Sequence, residues 1–242
     1  MKGARAALAF LTPLGGAATP GPDALGWFPA VGAAMGAVLG LLWWSCERAW
    51  PPAVAAAIVV GADLGLTGLL HIDGLVDAAD GLLPHLDRER RLAVMSEPSV
   101  GAFGIAAGAA TLLGRFAALA STRPSILLLT GIWCGSRTVM AVTPAVVRYA
   151  RSDTGGLATA FLEGRRRAPA LAAAALGTAG LLVGTMLWRP LGGAVAALSG
   201  AGAAALVIWF ARRRLGGFTG DVLGAAGVVF ETVALIVAAA KW

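Results

Sequence analysis

Three aspartates follow one another at helical spacing in an apolar stretch of the chain. Asp73, Asp77 and Asp80 occupy positions i, i+4 and i+7 of the run H-I-D-G-L-V-D-A-A-D-G at 71–81. Because helical residues are about 100° apart, the three carboxylates lie within roughly 60° of one another. Carboxylates this close together repel one another, and a bound cation relieves the repulsion. Ligands that are all oxygen suit Mg²⁺ better than zinc, so the run predicts a magnesium site. The alternative is an acidic helix end that frays into water.

A glycine-rich turn, R-R-R-L-G-G-F-T-G-D at 212–221, precedes the last apolar segment. Such a turn at the start of a helix presents backbone N–H groups to an anion, and the helix dipole assists. Thr219 and Gly220 are therefore candidate phosphate contacts. Asp221 is either a further metal ligand or simply a cap of the helix.

Cationic residues inside apolar segments form a third group of candidate functional residues, after the aspartate run and the glycine-rich turn. A charged residue inside a membrane is a candidate functional residue, and the forked guanidinium of Arg137 fits phosphate oxygens. The alternative for Arg137 is a buried ion pair with Asp63 or Glu231. Arg115 is expected to reach towards the opposite membrane surface. His71 has no second histidine at metal-binding spacing, so it is either a hydrogen-bonded helix-end residue or a substrate contact. Together these groups indicate transfer chemistry on a phosphorylated substrate and name no substrate.

Composition identifies the elements that must position these groups. The chain has 242 residues, of which 58% are hydrophobic and 13% charged, with a mean hydropathy of +0.78. Soluble proteins carry about 25% charged residues, so a single membrane domain over 1–242 is predicted. The net charge of +6 is attributed to cytoplasmic loops and not to nucleic-acid binding. Cys46 and Cys134 are isolated and match no metal motif.

The predicted fold is an all-α, polytopic membrane helix bundle of about seven transmembrane helices. A short interfacial helix at 3–11 and a loop rich in proline and glycine at 13–22 precede it. A spanning helix needs about 20 apolar residues, and seven segments qualify: 28–45, 53–72, 101–121, 125–147, 169–188, 191–211 and 221–240. Arg123-Pro124 and Arg189-Pro190 are expected to mark tight turns.

The orientation follows from the basic residues. With a cytoplasmic N-terminus, thirteen Lys and Arg residues face the cytoplasm and four face the opposite side, which is a clear positive-inside bias. The aspartate run and the glycine-rich turn then share the cytoplasmic face. The remaining acidic residues are interpreted as solvated loop charges: Asp23, Glu47, Asp87, Glu89, Asp153 and Glu163.

At these motifs the chain resembles the cobalamin synthase family, the adenosylcobinamide-GDP ribazoletransferases. Residues 71–81 are similar to the family's H-x-D-G-L-A-D-T-x-D-G, and 217–225 are similar to G-G-x-T-G-D-x-L-G-A. Shorter similarities run through the whole chain in consistent order: Phe10-Leu11-Thr12, Phe28-Pro29 with Gly32, Ser136-Arg137, Tyr149-Ala150-Arg151 and Glu231.

The sequence departs from the family pattern at one motif. Where the family shows M-[KR]-D-S-R-[IVL]-G-x-x-G, residues 95–104 read M-S-E-P-S-V-G-A-F-G. Glu97 keeps a carboxylate, and Ser99 replaces the arginine. The candidates to replace that arginine at a phosphate are Arg88, Arg90 and Arg91.

The resemblance implies a multi-pass enzyme of the cytoplasmic membrane, with its active site facing the cytoplasm. It would join adenosylcobinamide-GDP to α-ribazole or α-ribazole 5′-phosphate, giving adenosylcobalamin or its 5′-phosphate and GMP. By analogy with the membrane CDP-alcohol phosphotransferases, a ribose hydroxyl attacks the diphosphate with Mg²⁺ as cofactor. Beyond these substrates the implied partners are membrane lipid and a second copy of the chain in a homo-oligomer, with no nucleic acid.

The roles implied for individual residues fall into three groups. The metal ligands would be Asp73, Asp77, Asp221 and, unless it serves as the base, Asp80. Asp77 and Asp80 are the catalytic candidates. The substrate contacts would be His71, Glu97, Arg137, Arg151, Thr219, Gly220 and Glu231, with Arg137 and Arg151 on phosphate oxygens.

Two other functions compete with this interpretation. Another membrane phosphotransferase that joins a nucleotide-activated group to a lipid alcohol would share the metal chemistry, but its D-G-x-x-A-R pattern is missing. An ion-coupled transporter would place polar groups near the midplane and often shows inverted repeats. Here the acidic residues gather at one interface, and no repeat is evident.

Overall fold

The structure, a computed structural model, describes residues 2–16, 21–151 and 167–241. Within these ranges ten α-helices form the fold, with short 3-10 helices at Pro13–Gly15 and Pro22–Trp27. The helices are α1 (Lys2–Leu11), α2 (Phe28–Cys46), α3 (Pro52–Leu66), α4 (Leu70–Leu82), α5 (Arg88–Val94), α6 (Ala102–Ser121), α7 (Ile126–Val146), α8 (Arg167–Trp188), α9 (Pro190–Leu215) and α10 (Gly220–Ala238). Helix α1 matches the short N-terminal helix predicted at 3–11.

Six helical segments are long and apolar enough to span a membrane: Asp23–Cys46, α6, α7, Ala168–Trp188 within α8, α9 and α10. Helices α3 and α4 pass the same test only as a pair, and the pair is bent by 87°. Counting that pair as one broken span gives seven. The prediction of an all-α bundle of about seven membrane helices is therefore confirmed.

The prediction of one continuous helix over 53–72 is wrong. Helix α3 ends at Leu66, and the chain turns by about a right angle through Gly68 and Leu69, whose φ angles are +57° and +63°. A left-handed residue cannot continue a right-handed helix, and glycine adopts this region most easily. The acidic run consequently does not end a spanning helix, but forms the separate helix α4.

Helices α7 and α10 form the centre of the bundle. About 72% of each span is buried, compared with 28% for α6, α8 and α9. Helix α2 packs directly on α7 along a glycine stripe, because a Cβ at Gly40 would lie only 2.7 Å from the Cα of Ile126. Small residues permit this close approach between membrane helices.

The two predicted proline turns are confirmed. Helix α6 ends before Arg123-Pro124, and α7 begins at Ile126, where the Ser125 side chain accepts a hydrogen bond from the Leu128 amide. Arg189 alone separates α8 from α9. Asp153 and Glu163, interpreted above as loop residues, lie outside the described residues.

Candidate active site

A cavity of about 200 Å³ lies where α4, α7 and α10 meet the N-terminal segment. Its polar lining consists of His71 and Asp73 from α4, Tyr149 and Arg151 from the segment after α7, and Gly220 and Asp221 from α10. Five of these six residues belong to the predicted site, and Tyr149 is the addition. Its only sequence signal is its place in the Tyr149-Ala150-Arg151 similarity.

The two long motifs meet because α4 and α10 are in direct backbone contact. A Cβ added at Gly74 would lie 3.0 Å from the carbonyl oxygen of Asp221 and 3.1 Å from its Cα. Nearly one turn further along α10, a Cβ at Gly224 would lie 3.3 Å from the carbonyl oxygen of His71. Residues about 150 positions apart in sequence therefore line the same end of one cavity.

The start of α10 fixes the position of Asp221. Thr219 is the N-cap residue, since its hydroxyl accepts a hydrogen bond from the Val222 amide at 3.2 Å. Asp221 lies within the first turn, where the helix dipole favours a negative charge, and one carboxylate oxygen is 3.2 Å from the Thr219 hydroxyl. The alternative in which Asp221 is the cap therefore does not describe this helix.

A bridge of two backbone hydrogen bonds places Arg151 next to Asp221. The Phe218 amide donates to the carbonyl of Arg148 at 2.9 Å, and the Ala150 amide donates to the carbonyl of Phe218 at 2.8 Å. The guanidinium of Arg88 reinforces this bridge through the carbonyls of Ala150 and Leu215, both at 2.9 Å. As a result, an Nη atom of Arg151 lies 3.5 Å from the Asp221 carboxylate.

The three aspartates of α4 have different environments. Asp73 is exposed, Asp77 is half-buried and Asp80 is buried. The carboxylate of Asp80 accepts hydrogen bonds from the amides of Gly101 at 2.7 Å and Gly104 at 2.8 Å. Asp80 thus caps the N-terminus of α6 from a neighbouring helix, a role that its spacing did not predict. It interacts with Asp77 electrostatically, and neither of these two carboxylates belongs to the cavity lining, whereas Asp73 does.

The arrangement fits a metal ion that the substrate helps to bind. Within the described ranges, no three His, Cys, Asp or Glu side chains converge closely enough to hold an ion by themselves. Mg²⁺ is usually bound by one or two carboxylates together with water and substrate phosphates. Asp73 and Asp221, at the same end of the cavity, provide such a pair.

A buried ionic network lies next to the cavity. Arg115 joins both acids of the network, at 2.6 Å to Asp63 and 2.6 Å to Glu231. Glu231 also accepts hydrogen bonds from Arg137 and from the Ser136 hydroxyl. Two cations therefore balance two anions, which meets the requirement that buried charges be paired.

This network decides between the predictions for the intramembrane charges. Arg115 is only 5% exposed, so the prediction that it reaches towards the membrane surface is wrong, because α3 and α10 supply carboxylates inside the bundle. Arg137 forms the buried ion pair that was the alternative to phosphate binding. Neither Arg137 nor Glu231 lines the cavity. An acidic residue inside an apolar segment, such as Asp63, was the signal for this network.

His71 separates the cavity from the network. It is only 4% exposed, and it borders both the cavity and the small space around the buried ions. Neither ring nitrogen has a hydrogen-bond partner in the described part of the chain. Its imidazole is therefore available to a molecule bound in the cavity.

The segment that departs from the family pattern lies beside the cavity and does not line it. Arg91 donates to the carbonyls of Gly81 and Leu82, both at 2.8 Å, and Arg88 holds the bridge described above. Arg90 pairs with Glu97 at 2.8 Å. Of the three candidates to replace the family arginine, two are therefore bound to backbone carbonyls, and the third is paired with Glu97.

Comparison with known proteins identifies the family of the chain. The family model described as cobalamin-5-phosphate synthase matches residues 3–239. The adenosylcobinamide-GDP ribazoletransferase of Chlorobaculum parvum is 34% identical over 229 residues, covering 91% of this chain and 89% of its own. That of Ectopseudomonas mendocina is 36% identical, and the match covers 96% of each chain. No solved structure matches. Because the match covers almost the whole chain and includes both motifs at the cavity, the chain belongs to the cobalamin-5-phosphate synthase family.

Proposed function

We propose that this protein is a membrane transferase that joins adenosylcobinamide-GDP to α-ribazole or α-ribazole 5′-phosphate and releases GMP. Family membership and the names of its relatives support this activity. The structural observation that carries it is the meeting of Asp73 and Asp221 at one end of a cavity that Arg151 also lines. Carboxylates and a guanidinium at one site suit a metal-bound diphosphate.

In the proposed reaction a ribose hydroxyl attacks the phosphorus nearer cobinamide. A new oxygen–phosphorus bond forms, the bond from that phosphorus to the bridging oxygen breaks, and GMP leaves with that oxygen. Bound Mg²⁺ would neutralise the charge that develops on the diphosphate. Asp73 and Asp221 would hold the ion, and Arg151 would contact a phosphate oxygen.

The proton of the attacking hydroxyl needs an acceptor. Asp80 is committed to two backbone amides, so its carboxylate is not free for this task. Asp77 lies one turn beyond Asp73 on α4 and is half-buried beside the other carboxylates. We therefore assign the role of proton acceptor to Asp77. Thr219 and Gly220, at the start of α10, would orient the phosphate.

We further propose that the site faces the cytoplasm from the cytoplasmic membrane. The basic residues of α5 and the basic end of α9 lie on the same side of the bundle as the cavity, since Arg88 bonds to both Ala150 and Leu215. Concentration of arginine on one side is typical of the cytoplasmic side. This orientation gives the enzyme direct access to soluble nucleotide substrates.

The direct test is product analysis with purified protein. The protein in detergent would be mixed with Mg²⁺, adenosylcobinamide-GDP and α-ribazole 5′-phosphate, and the products would be followed by mass spectrometry. We expect adenosylcobalamin 5′-phosphate and GMP in equal amounts, and neither when one substrate is omitted. Turnover of CDP-diacylglycerol with a lipid alcohol, but not of these substrates, would instead support the rival phosphotransferase.

A further inference from the structure

The cavity has two chemically different ends. The charged end contains Asp73, Arg151 and Asp221, whereas the remaining wall is largely apolar. The apolar end is lined by Phe10, Leu25, Phe28, Met140 and Pro144. The rings of Phe10 and Phe28 are stacked, with centroids 5.7 Å apart and planes at 18°. A ligand that is apolar at one end and anionic at the other matches this lining, and aromatic side chains favour a flat apolar group.

The substrates of the proposed reaction differ in whether they meet this description. A corrin macrocycle is far larger than a cavity of about 200 Å³. Guanine has several donors and acceptors along its edge, and burying them among apolar side chains without partners is unfavourable. The dimethylbenzimidazole of α-ribazole is flat, has methyl groups on its outer edge and has one ring nitrogen that is free to accept a hydrogen bond.

We propose that the apolar end of the cavity binds the aromatic base of α-ribazole, the acceptor nucleoside. This inference rests on the proposed function and adds the position and orientation of one substrate. With its base among Phe10, Leu25 and Phe28, the nucleoside directs its ribose towards Asp73 and Asp221. The attacking hydroxyl then meets the diphosphate at the charged end.

His71 supplies the single polar contact that such a base requires. Its buried imidazole lines the cavity and has no partner among the described residues. An unpaired buried polar group is unfavourable, and an N–H donated to the free ring nitrogen of the base gives one of the two unpaired imidazole nitrogens a partner. Tyr149 also lines the cavity, and burial raises the pKa of its phenol.

Kinetics with each substrate varied separately test the location of the base. Truncation in Phe10→Ala removes apolar contact area, so we expect the KM for α-ribazole 5′-phosphate to rise about tenfold. The KM for adenosylcobinamide-GDP should stay within about twofold, since its diphosphate is proposed to bind at the charged end of the cavity and not beside Phe10. Phe103→Ala is the matched control, because Phe103 is exposed on α6 and does not line the cavity.

A second variant keeps the test informative if Phe10→Ala does not fold. Phe10→Trp enlarges the side chain, so it should shift the preference from the dimethylbenzimidazole nucleoside to the unsubstituted benzimidazole nucleoside. A rise in the KM for adenosylcobinamide-GDP alone, or no change in either KM, would overturn the inference. Absence of product with the wild-type protein would instead count against the proposed function itself.

A separate kinetic measurement tests the contribution of His71. His71→Phe should raise the KM for α-ribazole 5′-phosphate, whereas an indole riboside phosphate, which lacks the free ring nitrogen, should be used equally by both proteins. If the variant affects both nucleosides to the same extent, His71 does not contact that nitrogen.

Discussion

Asp73, Asp77 and Asp80 have the same side chain and share one helix, but they differ in what surrounds them. Asp73 lines the cavity, whereas the buried carboxylate of Asp80 accepts hydrogen bonds from two amides of α6. The spacing i, i+4, i+7 correctly predicts that the three carboxylates are near one another. It does not predict Asp80 as a cap, because its partners, Gly101 and Gly104, are more than twenty residues away and carry no side-chain signal.

The capping role of Asp80 leads to a stability prediction. Asp80→Ala leaves two amides at the start of α6 without their acceptor, and we expect the free energy of unfolding to fall by about 1–3 kcal/mol. Thermal unfolding in detergent would measure the loss. Asp77→Ala serves as the control and should be at least as stable as the wild type, since it relieves repulsion with Asp73. An Asp80→Ala protein of wild-type stability that is inactive would instead place Asp80 in the chemistry.

At the scale of elements, the contact between α4 and α10 aligns the two acidic motifs. The contact depends on Gly74, whose missing side chain allows the backbone of Asp221 to approach. The sequence contains glycines in both motifs, and glycine permits close approach of another backbone. It does not identify the partner surface, because pairing of helices far apart in sequence depends on the complete bundle.

Gly74→Val should separate the two helices and reduce the rate of product formation at least tenfold, because small misplacements of reacting groups are costly. The protein should still fold, since only one contact is overpacked. Gly61→Val is the matched control, because a Cβ at Gly61 meets no atom within 4 Å. Equal activity of the two variants would contradict the importance of this contact.

The buried ionic network links α3, α6, α7 and α10. Glu231→Gln would leave two guanidinium groups with one carboxylate, Asp63. Breaking such a buried set by removing one partner typically costs about 3–5 kcal/mol, so we expect a large decrease in the unfolding temperature in detergent.

Glu97→Gln is the control for this prediction, because Glu97 forms an exposed pair with Arg90 and such pairs contribute at most about 1 kcal/mol. Both glutamates were substrate-contact candidates in the sequence. A Glu231→Gln protein that is fully stable but binds adenosylcobinamide-GDP poorly would return Glu231 to that role.

The break between α3 and α4 could not be predicted from the hydropathy of the chain. Residues 53–72 are continuously apolar enough to predict one span, yet the helix ends at Leu66. The responsible feature is the pair Gly68 and Leu69 in left-handed conformation. A single glycine in an apolar run does not by itself indicate a break, since many glycines here lie inside helices and serve packing.

At the scale of the whole molecule, the proposed orientation can be tested by labelling. Ser96 follows α5 and Ser121 is the last residue of α6, and both are exposed. The native Cys46 and Cys134 are buried. In intact cells an impermeant maleimide should label Ser121→Cys only. Ser96→Cys should react only after the membrane is permeabilised. The reverse pattern would place the cavity on the outer side.

The central claim is that Asp73 and Asp221, from distant parts of the chain, jointly bind a divalent ion together with the diphosphate. The most direct measurement is Mn²⁺ binding by electron paramagnetic resonance, with Mn²⁺ in place of Mg²⁺. It would compare the wild type with Asp73→Asn, Asp221→Asn and Glu89→Gln, a control at an exposed site.

In the presence of adenosylcobinamide-GDP, we predict tight binding by the wild type and Glu89→Gln. Binding by each of the two aspartate variants should be weaker by at least tenfold. Wild-type affinity in both aspartate variants would contradict the account.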